Sequence, residues 1–136
     1  MDEVERIEQA MIAIRRRQTR RTLGAGEPSG QAFDVLDVVE DATAPTVSTV
    51  AAALAVDQPR ASKLVASAVT AGLLRRVADQ SDGRRSLLEL TGQGRELLDR
   101  AHQRRQGAFD RAMAGWPATD RNEFARLLSA FVDALD

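Results

Sequence analysis

The side chains best suited to specific recognition in this sequence lie close together between residues 58 and 63. They are Gln58, Arg60, Ser62 and Lys63. Arginine and lysine can donate hydrogen bonds to guanine, and a glutamine carboxamide can bond adenine through both of its polar atoms. If they project from the first turns of a helix, these groups can reach base edges in the major groove of duplex DNA. The alternative interpretation is an ordinary exposed helix face.

A second basic site, Arg84 and Arg85, follows the turn residues Asp82 and Gly83. An arginine on a narrow projecting hairpin can enter the minor groove, where the negative potential of DNA is strongest. Asp82 could bond the guanidinium of Arg84 and fix its direction. The alternative is a hairpin turn whose charges only keep it solvated.

Capping residues and apolar spacing predict two short helices that would position the first cluster. The first helix begins after Thr46, and its apolar face is Val47, Val50, Ala51 and Leu54. The second begins with Asp57 or Gln58 as its cap and Pro59 at an early position, and it ends at Gly72. Its apolar face is Ala61, Leu64, Val65 and Ala68. Two helices joined by a tight turn form a helix-turn-helix.

The apolar period changes after Gly72, and this change predicts a β-hairpin. Leu74 and Val77 precede a turn at residues 79–83, and Leu88 and Leu90 alternate after it. A hairpin that directly follows a helix-turn-helix is a wing. Thr91 is then expected to cap a long helix.

Further helices are predicted on both sides of this region. The apolar stripe of the first is Val4, Ile7, Met11 and Ile14; a turn at residues 24–30 separates it from a helix carrying Phe33, Leu36 and Val39. Trp116-Pro117 breaks the long helix, and a last helix starts near Thr119 with the stripe Phe124, Leu127, Leu128, Phe131, Val132 and Leu135. We therefore predict a mainly α winged helix-turn-helix fold with a small wing and about six helices, assembled as a homodimer through the first and last helices.

The charge distribution favours the same region as a nucleic-acid surface. The formal net charge is −1, which by itself argues against a nucleic-acid partner. Residues 26–45 carry five acids and no base, whereas residues 46–90 carry six bases and four acids. Tyrosine is absent and aromatic residues make up 4% of the chain, which disfavours single-stranded DNA or RNA as a partner.

Residues that could support catalysis or metal binding do not form a recognisable motif. His102 is the only histidine and cysteine is absent, so a zinc site or thiol chemistry is not expected. Ser48 and Ser62 have no histidine partner in a motif, and Gly24-Ala25-Gly26 lacks the lysine of a phosphate loop. We expect no enzyme and no cofactor. The N-terminus has no leader and no apolar run is long enough to span a membrane, so we expect a cytoplasmic protein.

Three stretches together resemble the MarR (multiple antibiotic resistance regulator) family. Residues 82–91, Asp-Gly-Arg-Arg-Ser-Leu-Leu-Glu-Leu-Thr, are similar to the family's wing pattern of Asp-x-Arg followed by an apolar strand that ends in Leu-Thr. Residues 56–65 resemble its recognition helix, and residues 71–74 its junction between helix and wing. Ala55 stands where family members usually have glycine, and Gly83 replaces a frequent charged residue.

The resemblance implies a role for each matched residue and an organisation for the chain. Arg84 would be the minor-groove residue, with Arg85 beside it and Asp82 as its orienting partner. The major-groove helix would carry Gln58, Pro59, Arg60, Ser62 and Lys63. Residues 1–27 would form an N-terminal dimerisation helix, residues 28–90 the winged helix-turn-helix, and residues 91–136 the C-terminal dimerisation helices.

The implied function is a transcriptional regulator that binds a palindromic double-stranded DNA operator as a homodimer. The resemblance further implies a repressor relieved by a small aromatic or phenolic ligand, to which the basic run Arg15 to Arg21 could supply a cation. The alternative is a winged-helix dimer that acts as a protein-interaction or ligand-binding module with weak affinity for DNA.

Overall fold

A computed structural model describes residues 1–19 and 31–135 of the chain. Within these ranges the elements are α1 (Glu3–Thr19), α2 (Gln31–Asp41), α3 (Val47–Leu54), α4 (Gln58–Thr70), β1 (Leu74–Ala78), β2 (Ser86–Leu90), α5 (Gly92–Ala112) and α6 (Ala118–Ala134). This arrangement confirms the predicted fold class, mainly helical with one hairpin after a helix-turn-helix. The predicted turn at residues 24–30 and the basic residues Arg20 and Arg21 lie outside the described residues.

The helix starts follow the capping signals of the sequence. Thr46 caps α3 in a capping box: its hydroxyl accepts from the Thr49 amide at 3.2 Å, and the Thr49 hydroxyl accepts from the Thr46 amide at 3.0 Å. The Asp57 carboxylate caps α4 by accepting from the Arg60 amide at 2.8 Å. The Thr91 hydroxyl accepts from the Gly94 amide at 3.0 Å, as expected for the start of α5.

Residues 1–104 form one compact unit whose core joins α2, α3, α4, the hairpin and the first half of α5. The fully buried large side chains are Val35, Leu36, Val50, Val65, Leu74 and Leu98. Burial of each such side chain contributes roughly 1.5–3 kcal/mol relative to leaving it in water. This core therefore fixes the orientation of α4 and of the hairpin, the two elements that carry the candidate site.

A polar junction connects α4, the hairpin and α5; we call Gly72, Leu73, Thr91 and Gly94 the Thr91 junction. The Thr91 hydroxyl donates to the Gly72 carbonyl at 2.6 Å, and the Thr91 amide donates to the Leu73 carbonyl at 3.1 Å. Gly72 has φ +79°, a left-handed conformation that favours glycine, and Gly94 is buried directly against the Leu73 carbonyl. The junction sets the position of the wing relative to α4.

Glu40 links α2 to α5 in the same unit. Its carboxylate lies 3.1 Å from the Arg95 guanidinium and 2.8 Å from His102 Nε2. The Glu40 side chain is 25% exposed and that of His102 is 33% exposed. The single histidine of the sequence therefore packs at a contact between two helices.

Residues 105–136 form a second compact unit, which contains the end of α5 and all of α6. Helix α5 ends at Ala112 and α6 begins at Ala118, so the predicted break at Trp116-Pro117 is confirmed. The Trp116 and Phe124 rings contact each other with centroids 5.7 Å apart, and Arg121 pairs with Asp110 at 2.5 Å.

Two apolar stripes are exposed in the described ranges 1–19 and 31–135. Along α1 the stripe is Val4, Ile7, Met11 and Ile14; along α6 it is Phe124, Leu127, Leu128 and Val132, with Leu135 directly after the helix. In the part of the chain that the structure describes, no helix combines the length and the apolar character needed to cross a membrane.

Candidate nucleic-acid interface

The helix-turn-helix is built by α3 and α4 and closed by a left-handed residue. Ala55, the C-cap of α3, has φ 55° and ψ 44°, and its amide and that of Val56 return to carbonyls of α3. This conformation strains a residue that carries a Cβ, which explains why glycine suits the position in the turn. The tight reversal allows Asp57 to begin α4 two residues later.

We expect Ala55→Gly to stabilise the chain by roughly 0.5–1 kcal/mol. Relief of the left-handed conformation outweighs the greater freedom that glycine has in the unfolded chain. The matched control is Ala53→Gly, at an exposed position inside α3, which should destabilise by about 1 kcal/mol. Urea unfolding of the two variants measures both effects, and equal losses would contradict the strain assigned to Ala55.

The side chains predicted to read DNA form one exposed surface on α4, which we call the recognition face. It consists of Gln58, Pro59, Arg60, Ser62 and Lys63, all of which are exposed. Ala61, Val65 and Ala68 on the other side of α4 are buried in the core. Because these three residues fix the rotation of the helix about its axis, the recognition face points to solvent from the first turns of α4.

One contact to the recognition face could not be predicted from local patterns. The Ser48 hydroxyl of α3 donates to Gln58 Oε1 at 3.4 Å. The two residues are ten positions apart, so no periodic signal joins them in the sequence. The contact connects α3 to the start of the recognition face.

The wing is an antiparallel pair in which Leu74 faces Leu90 and Ala78 faces Ser86. Leu74 and Leu88 are buried and anchor the hairpin on the core, and the Leu88 amide donates to the Pro45 carbonyl at 2.8 Å. On the opposite face Arg75 pairs with Glu89 at 2.8 Å, with both side chains about half exposed. The wing is therefore held at its base, and its distal end projects from the core.

The connection between the strands, residues 79–85, is the wing turn. It extends two residues beyond the predicted turn because the Asp79 amide donates to the Arg85 carbonyl at 3.1 Å and closes it. The Asp79 carboxylate accepts from the amide and the hydroxyl of Ser81 at 2.9 and 2.8 Å. These two Ser81 donors, with a smaller contribution from Arg85, hold the pKa of Asp79 below its usual range. The hydrogen bonds from Ser81 therefore favour the charged form of Asp79.

Asp82 makes a different contact from the expected one. Its carboxylate accepts from the backbone amide of Arg84 at 3.1 Å, and its carbonyl accepts from the Arg85 amide at 3.0 Å. Within the described residues, no ion pair joins Asp82 to the guanidinium of Arg84. Asp82 therefore shapes the backbone of the wing turn, because a short carboxylate side chain reaches the amide two residues ahead more easily than a distant guanidinium.

All eight residues assigned to DNA from the sequence are exposed on the unit formed by residues 1–104. Five lie on the recognition face and three, Asp82, Arg84 and Arg85, on the wing turn. Asp79 and Ser48 were not predicted to belong to this site. The Asp79 contact had a local signal, since an aspartate two residues before a serine is a common turn pattern.

Residues 1–19 and 31–135 contain no cluster of three or more histidine, cysteine, aspartate or glutamate side chains that could hold a metal ion. What the site offers is hydrogen-bond donors, cations and a projecting hairpin. Such groups can bind a polyanion and distinguish base edges.

Comparison with known proteins supports the same interpretation of the fold. A family model for the MarR family matches residues 28–85, while no curated protein matches the sequence. A MarR family protein from Bacillus stearothermophilus superposes with a TM-score of 0.80 at 20% identity, covering 98% of this chain and 96% of that chain. The PcaV transcriptional regulator from Streptomyces coelicolor, solved with its natural ligand, has a TM-score of 0.60 at 26% identity, covering 92% of each chain.

A third structure is similar in sequence as well as in fold. It is a MarR family transcriptional regulator from Rhodococcus sp. RHA1, 30% identical to this chain, with a TM-score of 0.52. The match covers 74% of this chain and 71% of that chain. With its winged helix-turn-helix and these similarities, the chain belongs to the MarR family of transcriptional regulators.

Proposed function

We propose that this chain is a sequence-specific double-stranded DNA-binding regulator that acts in the cytoplasm as a homodimer. The observation that carries the proposal is the recognition face, which presents a glutamine, an arginine, a serine and a lysine from the first turns of a capped helix. That is the part of a helix that enters the major groove in helix-turn-helix proteins. The wing turn adds Arg84 as a cation for the adjacent minor groove.

Assembly as a homodimer would provide two such sites per molecule. Its support is the exposed stripe on α1 and the exposed stripe on α6, each too apolar to be left in water. In the proposed organisation, residues 1–27 and 91–136 dimerise and residues 28–90 bind DNA. Two-fold symmetry would place the recognition helices roughly 34 Å apart, one turn of duplex, on a palindromic operator.

The low net charge limits where the affinity for DNA can come from. A chain of net charge −1 has no general attraction for DNA, so its affinity must come from the local basic groups of α4 and the wing. Binding should therefore be selective for the operator and sensitive to salt.

We also propose that the chain represses transcription and that a small aromatic or phenolic acid relieves this repression. Support comes from PcaV, a regulator of the same fold that was solved with its natural ligand. The test is a gel shift with the intergenic DNA flanking the chain's own gene, with and without a panel of phenolic acids. Release of the duplex by a member of the panel is expected, and binding that no panel member weakens would contradict this part of the proposal.

Substitutions in the wing turn and in the recognition face should weaken DNA binding in different ways. Arg84→Ala removes one wing cation from each protomer, so binding should weaken on every duplex and the salt slope should fall by about two. Gln58→Ala and Arg60→Ala should each cost roughly 1–3 kcal/mol on the operator and relax base preference at particular positions. Titration of each variant against operator and scrambled duplex, at several salt concentrations, measures these effects.

The matched control is Arg100→Ala, which removes an exposed arginine from α5 outside the proposed interface. It should bind as the unaltered chain does. If Arg84→Ala retains full operator affinity, the wing does not contact DNA. If every variant binds normally, a winged-helix module for a protein partner becomes the better explanation.

A further inference from the structure

Asp79 is the least exposed residue of the wing turn. Its side chain is 11% exposed, whereas residues 80–85 are all exposed. One carboxylate oxygen accepts two hydrogen bonds from Ser81, and the other lies 3.9 Å from Arg85 Nε. The Asp79 amide closes the turn on the Arg85 carbonyl at 3.1 Å. One residue therefore connects the start, the middle and the end of the wing turn.

The two adjacent arginines of the turn have different surroundings. The guanidinium of Arg85 faces the Asp79 carboxylate, as a long ion pair. For Arg84 only the backbone amide is held, by Asp82 at 3.1 Å. In the described part of the chain, no carboxylate lies within ion-pair distance of the Arg84 guanidinium. In the wing turn, the charge of Arg85 is therefore partly compensated by Asp79, whereas the charge of Arg84 is available to a partner.

From this geometry we infer that Asp79 is the residue that positions the wing for DNA. It fixes the turn through Ser81 and retains Arg85 beside itself, so that Arg84 is the arginine presented to the minor groove. The inference rests on the proposed function. Its physical basis is preorganisation: a turn that is ordered before binding loses less conformational freedom when the complex forms.

If only charge mattered, replacing Asp79 with alanine would strengthen DNA binding. Removing an acid makes the protein more positive, and this change favours binding to a polyanion. Glu89→Ala provides the matched control, because it removes an exposed acid from the same hairpin that pairs with Arg75 away from the turn. We expect Glu89→Ala to bind operator as tightly as the unaltered chain or more tightly.

Asp79→Ala should instead bind operator about fivefold to tenfold more weakly, since the turn must then be ordered on binding. Combined with Arg84→Ala it should add less than about a twofold further loss, because the residue it positions is already missing. Combined with Gln58→Ala the two losses should multiply. Asp79→Asn keeps an acceptor for Ser81 and should recover at least half of the loss on a logarithmic scale.

A measurement without DNA tests whether Asp79 orders the wing turn. Hydrogen exchange of the Ser81 and Arg85 amides should become about fivefold faster in Asp79→Ala, because their hydrogen-bonded turn is loosened. The thermal midpoint should be unchanged, since the wing turn lies outside the core. Unchanged exchange in this variant would overturn the inference, whatever the DNA result.

The binding results separate the inference from the proposed function. If the unaltered chain binds operator and Asp79→Ala binds it equally well or more tightly, Asp79 does not position the wing although the function stands. Equal coupling of Asp79 to Arg84 and to Gln58, or no recovery with Asp79→Asn, would also overturn it. If the unaltered chain binds no duplex at all, the proposed function fails, and the exchange measurement still decides whether Asp79 orders the turn.

Discussion

Gly94→Ala should destabilise the chain by about 3 kcal/mol, at the upper end of the range for overpacked sites, and should lower its thermal midpoint by roughly 10 °C. A Cβ built on Gly94 would lie 2.1 Å from the Leu73 carbonyl oxygen. That neighbour is backbone and accepts the Thr91 amide, so it cannot move aside as a flexible side chain would. The new methyl group must displace the whole Thr91 junction.

The effect should extend to DNA binding. The Thr91 junction fixes the direction in which the hairpin extends from α4. Displacing the junction therefore changes the position of Arg84 relative to the recognition face. We therefore expect operator affinity to fall in Gly94→Ala even at temperatures where the variant is folded. Circular dichroism melting and binding titration on the same preparation measure the two effects separately.

Gly92→Ala is the matched control, two residues earlier in the same helix. Nothing lies within 4 Å of the position its Cβ would occupy, and the residue is exposed. Alanine there should be neutral or stabilise by up to about 1 kcal/mol, because it has the higher helix propensity. Equal losses for the two variants would show that the close approach of Gly94 to Leu73 is not what makes the position sensitive.

The elements of the fold could be predicted because their signals are local. Thr46, Asp57 and Thr91 are capping residues, and each begins the helix that it was expected to begin. The change from helical to alternating spacing after Gly72 located the wing. These signals involve neighbours within a few residues, and backbone geometry alone relates them to structure.

Contacts between distant residues could not be predicted in this way. The approach of Gly94 to Leu73, the bond from Ser48 to Gln58 and the bridge from Glu40 to α5 arise only when the core is packed. For the wing, the sequence indicated a bond from Asp82 to the Arg84 guanidinium, and the structure gives Asp82 the backbone amide instead. The two nearby aspartates accept from different donors, Asp79 from Ser81 and Asp82 from the Arg84 amide, and the path of the turn sets this pairing.

The second large effect concerns assembly: Leu128→Asp should convert the proposed dimer into monomers or unfold it. Leu128 is 37% exposed on a chain taken by itself and belongs to the α6 stripe, which includes Phe124 and Leu127. In a homodimer of the obligate kind this stripe would be buried against apolar surface. An unpaired carboxylate there would cost several kcal/mol in each protomer, and symmetry introduces two per dimer.

Light scattering at micromolar concentration measures the outcome, with circular dichroism to report whether the variant is folded. We expect the unaltered chain to have the mass of two protomers, and Leu128→Asp to show half that mass or a loss of helical signal. Ser129→Asp is the control, since it places the same charge on α6 at an exposed position beside the stripe and should remain dimeric. An unaltered chain that is monomeric, or a Leu128→Asp variant that stays dimeric, would mean that the α6 stripe does not form the dimer interface. If the unaltered chain is monomeric, a palindromic operator also loses its structural basis, because two recognition faces are then not joined in one molecule.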